Sequence, residues 1–375
     1  MVTFDRKALA PMDVAARVPR LQALLGEAGC DALLVTSITN IRYLTGFSGS
    51  AALVAVPAAG SEAMVFVTDG RYGDQAADQL QGAGVEARIE VGTSGAAQQA
   101  ILSAALGGIG RLGLEAHSVT WGQQRAFAGE WFPAAELVPT EGLVEDLRQV
   151  KDQGEVARIE AACAMADTAL AAVKHRLGDH PTETEVALEL EWQMRRLGAD
   201  GASFETIVAS GPNGARPHHR AGHRRIEEGD LVVIDFGALL DGYHSDMTRT
   251  IAVGESSPTQ THMWDVVLTA QAAGVAAVRP GANAKAVDEA CRSVIRDVGW
   301  GDAFLHGTGH GVGLDIHEAP RVAATADATL AAGHVVTVEP GIYLAVHGGV
   351  RIEDTVVVTP EGSRILTRAP KDRSL

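Results

Sequence analysis

The chain has 375 residues, of which 46% are hydrophobic and 21% are charged, and its formal net charge is -16. This length is more than one hydrophobic core usually organises, so two domains are expected. The negative charge argues against a nucleic-acid partner or an anionic membrane, because phosphate groups are bound by basic surfaces.

The cysteines and the amino terminus indicate the cellular setting. Cys30, Cys163 and Cys291 are far apart and form no C-x-x-C pair, which argues against a disulfide framework and against a thiolate metal site. The first residues lack the continuous apolar core of a signal peptide. No run of about 18 apolar residues could span a bilayer. We therefore expect a cytoplasmic protein with no membrane partner.

The first part of the chain alternates helical and extended patterns. Residues 14–28, VAARVPRLQALLGEA, carry apolar positions at helical spacing, whereas DALLVT and AMVFVT are short apolar runs typical of buried strands. IGRLGLE continues this pattern ahead of an aromatic segment, TWGQQRAFAGEWF. Helices interleaved with strands predict an α/β domain over residues 1–145.

The pattern changes near residue 145. A charged opening leads into the long Ala-rich helical stretch that ends in AVKHRL, and a second helix is predicted in TETEVALELEWQMRRLG. Thr182 and Glu185 have the spacing of a capping box at the start of that second helix. We predict a second domain over residues 146–375.

The second domain contains an internal duplication. Residues 229–237 read GDLVVIDFG and residues 333–341 read GHVVTVEPG, each with an acid six residues after the first glycine. A second strand-like run with its own acid follows each copy, HSDMTRTIAV and VRIEDTVVV, and helical sequence precedes each half. Duplicated units of this kind usually pack about a pseudo-twofold axis, and we expect their hairpins to form one sheet.

Four acids in these apolar strands indicate a metal site: Asp235, Asp246, Glu339 and Glu353. A carboxylate in an apolar strand is costly unless it is paired, hydrogen-bonded or bound to a metal. A single strand-end acid could simply accept backbone hydrogen bonds, but four in matching hairpins favour a metal. Their charge of about -4 would be neutralised by two divalent ions. Oxygen ligands with one imidazole favour manganese, cobalt, iron or zinc.

The segment HGTGHGVGLDIHE supplies the histidines. His306 and His310 have the spacing of a helical zinc site, but the interleaved glycines disfavour a helix by about 1 kcal/mol each. We predict an extended segment whose glycines let backbone pass close to the metal centre, with one histidine as ligand and the others lining the pocket. A phosphate-cradling loop is excluded, because G-x-x-x-x-G-K-[ST] and a nearby lysine are missing.

IDFGALLDGYHSDMTRT, HGTGHGVGLDIHE, VTVEPGIY and GVRIED resemble, in order and spacing, the five-ligand signature of the pita-bread metallopeptidases. Within that family the similarity is to prolidases and aminopeptidases P. NIRYLTGFSGS and TDGRY resemble the amino-terminal domain of the same branch. The resemblance covers nearly the whole chain. It implies a creatinase-like α/β amino-terminal domain and an α+β pita-bread catalytic domain built from two helix/β-hairpin halves.

The resemblance also implies the ligands and the chemistry. The ligands are Asp235, Asp246, His310, Glu339 and Glu353, with Asp246 and Glu353 bridging two ions, Asp235 binding one ion with both oxygens, and His310 and Glu339 completing the other site. None of the five is substituted, which argues against an inactive homologue. The expected reaction is attack of a metal-bridging hydroxide on an Xaa-Pro peptide bond, with manganese as the expected metal. Glu339 is the candidate base, and a role as ligand alone stays open.

Other residues receive roles around this centre. By resemblance, His317 binds the substrate carbonyl and the intermediate, and His218 is a second substrate-side histidine. Arg351 lies two residues before Glu353 and is expected to hold that acid or to relay a proton. The remaining candidates are a pocket-wall histidine (His306), a weaker carboxylate anchor (Arg321), two surface histidines (His219 and His244) and a core tyrosine (Tyr343).

The resemblance leaves several functions open. A prolidase-like dipeptidase is the first hypothesis, and an aminopeptidase P acting on longer Xaa-Pro peptides is the alternative. A creatinase-type amidinohydrolase should lack the ligand set, and a non-enzymatic peptide-binding module is the remaining alternative. The family implies a homodimer in which amino-terminal domains border a neighbour's active site. Arg42 and Tyr43 could contribute there, although a strand-to-helix turn is the preferred interpretation of NIRYLTGFSGS.

Overall fold

The protein is described by a computed structural model that covers residues 5–58 and 63–375. Two compact units are present: one is Asp13–Arg148, and the other is Gln149–Leu375 together with the described residues up to Met12. Arg158 holds the amino-terminal segment to the second unit, since its guanidinium donates to the carbonyl of Ala10 at 3.0 Å. The sequence predicts one domain over residues 1–145. In the structure, the described residues up to Met12 belong instead to the second unit.

Helices occur in both parts of the chain. They are α1 (Arg17–Glu27), α2 (Ile38–Thr45), α3 (Gly73–Gly82), α4 (Gly95–Ala105), α5 (Trp121–Ala126), α6 (Leu143–Gln149), α7 (Gln153–Val173), α8 (Glu183–Leu197), α9 (Pro258–Ala277) and α10 (Ala284–Asp297). Shorter helical turns are Arg6–Ala8, Phe127–Trp131, Lys174–Asp179, Gly211–Ala215 and Gly301–Ala303.

Strands follow the same chain order. In the first unit they are β1 (Ala32–Val35), β2 (Ala52–Pro57), β3 (Val65–Thr68), β4 (Arg88–Val91), β5 (Arg111–Glu115) and β6 (Glu136–Thr140). In the second unit they are β7 (Gly201–Ala202), β8 (Ile207–Ser210), β9 (Leu231–Phe236), β10 (Ala238–Leu240), β11 (Tyr243–His244), β12 (Met247–Ala252), β13 (Gly309–Gly311), β14 (Glu318–Val322), β15 (Val335–Val338), β16 (Gly341–Leu344), β17 (Gly348–Arg351), β18 (Asp354–Thr359) and β19 (Gly362–Ile365).

The first unit is an α/β domain built on one mixed sheet. Its strand order is β4-β3-β2-β1-β5-β6, antiparallel at β1–β2 and β2–β3 and parallel elsewhere. The segment NIRYLTGFSGS contributes helix α2, which begins after the Ser37 cap and ends at Gly46 in the left-handed conformation. Tyr43 on this helix is buried and donates its hydroxyl to the carbonyl of Leu147 at 3.1 Å.

The second unit contains the expected duplication. Strands β9 and β12 pair antiparallel in one half, and β15 and β18 pair antiparallel in the other. Helices α7 and α8 pack with the first pair in one buried apolar cluster, and α9 and α10 pack with the second pair in another. Asp235 lies near the end of β9 and Glu339 directly follows β15, while Asp246 and Glu353 directly precede β12 and β18. The four acids therefore occupy equivalent positions in the two halves.

The prediction that both hairpins form one sheet is wrong. Strands β12-β9-β8 form one sheet, and β14-β13-β15-β18-β19 form another. Where the halves meet, the Thr250 hydroxyl donates to the carbonyl of Arg351 at 2.8 Å and accepts from its amide at 3.0 Å. The Thr250 side chain therefore satisfies the backbone amide and carbonyl of Arg351, which in a continuous sheet would pair with the backbone of a neighbouring strand.

The segment HGTGHGVGLDIHE is not helical, as predicted: it is extended at β13 and bends over residues 313–317 before β14 begins. Strands β13 and β14 pair antiparallel, and β13 also pairs with β15. A Cβ atom at Gly309 would overlap the carbonyl oxygen of Thr337, and one at Gly311 would overlap that of Ala319. The glycines therefore allow neighbouring backbone to approach on both sides of His310.

None of the helices in the described ranges combines the length and the apolar character needed to cross a membrane.

Candidate metal centre

Three carboxylates from the two halves converge at the centre of the second unit. Oxygen atoms of Asp235, Asp246 and Glu353 lie within 4.8 Å of one another. Each acid lies at or beside a strand end, and the pairing of β9 with β12 in one half and of β15 with β18 in the other sets these strand ends side by side within each half. The duplicated strands thus deliver their acids to one point.

His310 and Glu339 complete this cluster. The His310 Nε2 atom lies 3.5 Å from Asp246 Oδ2 and 3.4 Å from Glu339 Oε1. The His310 Nδ1 atom donates to the carbonyl of Gly311 at 3.0 Å, which leaves Nε2 as the acceptor of the neutral ring. Burial lowers the pKa of His310 to about 4, so this ring is in the neutral form that binds metals. The structure therefore brings together all five residues that the resemblance identifies as ligands.

The cluster is electrostatically crowded. Burial raises the pKa of Asp246 well above its ordinary value, and the carboxylates of Glu353 and Asp235 raise it further. The pKa of Glu353 is raised for the same reasons, burial first and then the charge of Glu339. Burial raises the pKa of Glu339 to about 8, although Arg351 opposes the shift. Cations would relieve this repulsion directly.

Two buried oxygens in the cluster fit a metal-binding role. Asp235 Oδ1 and Glu353 Oε1 have no hydrogen-bond partner among the described residues. The second oxygen of each acid is held: Arg351 binds Asp235 Oδ2 at 2.5 Å, and the Thr248 hydroxyl donates to Glu353 Oε2 at 2.7 Å. Each carboxylate is thus oriented by one oxygen and presents the other to the cluster. A donor set of four carboxylates and one imidazole suits divalent ions such as manganese, cobalt, iron or zinc.

Arg351 contacts a different acid from the one predicted. Its guanidinium binds Asp235, and it also donates to the hydroxyls of Tyr343 at 2.8 Å and Thr248 at 3.0 Å. The expected partner was Glu353, on the argument that residues two apart share one face of a strand. Strand β17 ends at Arg351, so the alternation does not continue to Glu353.

Tyr343 connects Arg351 to His306. The Tyr343 side chain is buried, as predicted, but its hydroxyl lies 2.8 Å from His306 Nε2 while it accepts from Arg351. The His306 Nδ1 atom faces the carbonyl of Gly307 at 2.8 Å, so the neutral ring accepts a hydrogen bond from the tyrosine at Nε2. Burial lowers the pKa of His306 to about 4, which fits this neutral form.

A cavity of about 650 Å³ opens over the cluster. His218, His306, His317, Arg321 and Arg351 all line this cavity with the five cluster residues. The His317 ring lies with its centroid 4.3 Å from that of His310, and burial lowers its pKa. The apolar part of the wall comes from Phe204, Ile207, Pro217, Ile316, Ala319 and Ala323.

Two histidines predicted at the surface are not there. The His219 Nε2 atom donates to Glu183 Oε2 at 2.8 Å, and the His219 side chain is only 14% exposed. His244 lies 2.8 Å from the Ser203 hydroxyl through Nδ1, and burial lowers its pKa. Both predictions were wrong because short polar motifs do not reveal a buried partner that is distant in sequence. Glu183 itself was missed, since its only signal was its place in the first turn of a predicted helix.

Comparison with protein families gives a match for each of the two parts of the chain. Residues 157–360 match the metallopeptidase family M24, which is more than half of the chain. The chain belongs to family M24. Residues 17–150 match the creatinase/prolidase amino-terminal domain.

Three relatives of this M24 protein align over nearly their whole length. An uncharacterized peptidase of Bacillus subtilis, YqhT, is 44% identical over 356 residues, which are 95% of this chain and 99% of the relative. The solved structure of an Xaa-Pro dipeptidase from Bacillus anthracis superposes with a TM-score of 0.91 at 39% identity, over 96% of this chain and 100% of that one. That of an X-Pro aminopeptidase from Thermotoga maritima gives 0.85 at 33% identity, over 95% and 100%.

The comparisons confirm three expectations from the sequence. These are the resemblance to the pita-bread metallopeptidases, the fold class with its creatinase-type amino-terminal domain, and the assignment as a metallo-exopeptidase. The M24 assignment implies divalent metal ions, and the carboxylate cluster is where the chain offers ligands for them.

Proposed function

We propose that this M24 protein is a dinuclear metal-dependent exopeptidase that hydrolyses the Xaa-Pro bond, with dipeptides as its preferred substrates. The observation that carries the proposal is the five-residue cluster that lines the cavity, in which two buried carboxylate oxygens have no hydrogen-bond partner among the described residues. The similarity to the Xaa-Pro dipeptidase from Bacillus anthracis supports the substrate class. An aminopeptidase P is the alternative, since the Thermotoga maritima relative is an X-Pro aminopeptidase.

Asp235, Asp246, His310, Glu339 and Glu353 would hold the metal ions. Four carboxylates carry about four negative charges, which matches two divalent ions and not one. Such ions would supply Lewis-acid polarisation of the scissile carbonyl and would lower the pKa of the attacking water.

The side chains of the chain itself supply proton transfer and orientation. Glu339 Oε1 faces the cluster with a hydrogen bond from the Thr337 hydroxyl at 3.2 Å, and this carboxylate would take the proton of the attacking water and pass it to the leaving amine. His218 and His317 line the same cavity and would donate to the substrate carbonyl as negative charge develops on its oxygen. Arg351 holds Asp235 in place for this reaction.

Arg321 supports a dipeptide substrate. It lines the cavity, is exposed, and has no hydrogen-bond or ion-pair partner among the residues that the structure describes. A free carboxylate after the proline would lie within reach of this cation, whereas a longer peptide carries an amide there. The apolar wall formed by Phe204, Ile207 and Ile316 suits a proline ring.

The decisive experiment measures hydrolysis of matched Xaa-Pro and Xaa-Pro-Xaa peptides after loading with manganese or cobalt. We expect faster cleavage of the dipeptides, no cleavage of Xaa-Ala controls, and loss of activity in Asp246→Ala. Release of the first residue from the longer peptides at an equal or greater rate would replace the dipeptidase by the aminopeptidase P alternative.

The same measurements separate the other classes. A creatinase-type amidinohydrolase would cleave creatine-like substrates and no Xaa-Pro peptide. A peptide-binding module would contain no transition metal by elemental analysis and would stay inactive after loading.

Manganese as the native metal, a homodimer and a cytoplasmic location stay predictions. Elemental analysis of the protein purified without added metal, its mass in solution and cell fractionation test them in turn.

A further inference from the structure

Glu183, at the start of α8, is completely buried beneath the segment Ser210–Gly222. Its Oε1 atom accepts hydrogen bonds from the amide of Ser210 at 2.8 Å, from the Ser210 hydroxyl at 2.7 Å and from the side-chain amide of Asn213 at 2.9 Å. Its Oε2 atom accepts from His219 at 2.8 Å and from the amide of Gly222 at 3.1 Å. The Glu183 carboxylate is thus hydrogen-bonded to both ends of the segment, Ser210 and Gly222, and to two residues within it, Asn213 and His219.

This segment carries a wall of the active-site cavity. Pro217 and His218 line the cavity, and His218 directly precedes the residue that binds Glu183. On the cavity side, Arg351 donates to the carbonyl of Pro217 at 3.3 Å. The segment is therefore held from beneath by Glu183 and from the cluster side by Arg351.

The chemistry of Glu183 matches its surroundings. All five partners are donors, and an ionised carboxylate is an acceptor at both oxygens. Burial by itself would raise the pKa of Glu183, but hydrogen bonds from Asn213, Ser210 and His219 outweigh it and lower the pKa. A glutamine at this position would replace one accepting oxygen by an NH₂ group. That donor would face other donors, and hydrogen bonds to the segment would be lost.

We propose that Glu183 is a positioning residue that acts through His219 to set the place of His218 over the metal cluster. The role rests on the proposed function, because it assigns His218 to the substrate. The carboxylate does not touch the cavity itself, so its effect on turnover must pass through the segment that it holds.

The test is a double-mutant cycle between Glu183→Gln and His218→Ala, with Glu185→Gln as the matched control. Glu185 lies in the same helical turn, but its carboxylate accepts from the amide and hydroxyl of the Thr182 cap and not from the segment Ser210–Gly222. We expect Glu183→Gln to lower kcat/KM about 10- to 100-fold, and the control to keep wild-type activity. In the His218→Ala background, Glu183→Gln should cause no further loss. His219→Gln, which keeps a donor, should retain more activity than His219→Ala.

Equal losses from Glu183→Gln with and without His218 would overturn the proposal, because a general structural role is additive. Unchanged activity in Glu183→Gln would overturn it as well. If that variant does not fold, the same cycle with His219→Ala decides between the two outcomes.

Hydrogen exchange of the backbone amides of residues 210–222 tests, without a substrate, whether Glu183 holds this segment. Exchange should be faster in Glu183→Gln than in Glu185→Gln, and equal rates would overturn the proposal. A wild-type protein that cleaves no Xaa-Pro peptide would instead refute the proposed function, whatever the exchange rates are.

Discussion

Asp235 and Glu353 show how single residues build this site. Each carboxylate has one oxygen fixed by a neighbouring side chain and one buried oxygen without a partner among the described residues. Burying such an oxygen costs free energy unless a ligand compensates it. The cost is expected to be recovered when cations bind.

Glu339 gives the metal-free protein a specific pH dependence. Its pKa is raised to about 8 in the fold, from an ordinary value of 4.5, chiefly by burial. A raised pKa means that the folded state binds the proton more tightly than the unfolded state does, so this contribution is complete below about 4.5 and is lost as the pH rises through about 8. The metal-free protein should therefore lose stability over this window.

Chemical denaturation of the metal-free protein at several pH values measures this loss. In Glu339→Gln the stability should vary less over the same window, since the titrating group is gone. Parallel curves for the variant and the wild type would contradict the assignment.

Arg321 gives a prediction about substrate choice. Arg321→Ala should raise KM for Xaa-Pro dipeptides roughly two- to fivefold with little change in kcat, because a partly solvated ion pair contributes up to about 1 kcal/mol. The matched substrates are Xaa-Pro amides, which lack the carboxylate, and their KM should stay unchanged. An equal rise for dipeptide and amide would mean that Arg321 does not bind the carboxylate.

At the scale of elements, glycine decides whether β13 can carry His310. At Gly309 a side chain would overlap the backbone of Thr337 on β15. Gly309→Ala should destabilise the protein by about 1–3 kcal/mol, because neither strand can move without disturbing the sheet.

The control is Gly362→Ala in β19, a strand of the same sheet, where nothing lies within 4 Å of the added Cβ. Its cost should stay within about 0.5 kcal/mol. Thermal unfolding of the two variants compares them, and similar Tm values would show that the close approach at Gly309 carries no cost.

For several elements, the neighbouring residues in the sequence were sufficient to predict the local structure. The capping box of Thr182 and Glu185 begins α8 as predicted, since both of its reciprocal hydrogen bonds depend on residues three apart. The non-helical form of HGTGHGVGLDIHE followed from glycine propensity. Strand alternation failed at Arg351 because the strand ended there, and strand ends depend on pairing with distant residues.

For the whole molecule, metal binding should stabilise the fold. Divalent ions that bind only the folded state add about 2.7 kcal/mol when their concentration is 100 times Kd. Chelation should lower Tm and manganese should restore it in the wild type, while Asp246→Ala should respond much less. An equal Tm shift in both proteins would place the binding outside this cluster.

The sequence by itself determined the duplicated acid-bearing strands, the non-helical glycine-rich segment and the resemblance that identified the family. These features are local or repeated patterns, so they can be read without knowing which distant residues meet. Only the tertiary structure decided that Arg351 holds Asp235, that Tyr343 connects Arg351 to His306, and that His219 donates to the buried Glu183. Those contacts join residues from separate elements, and their energies depend on burial and distance, which the order of residues does not specify.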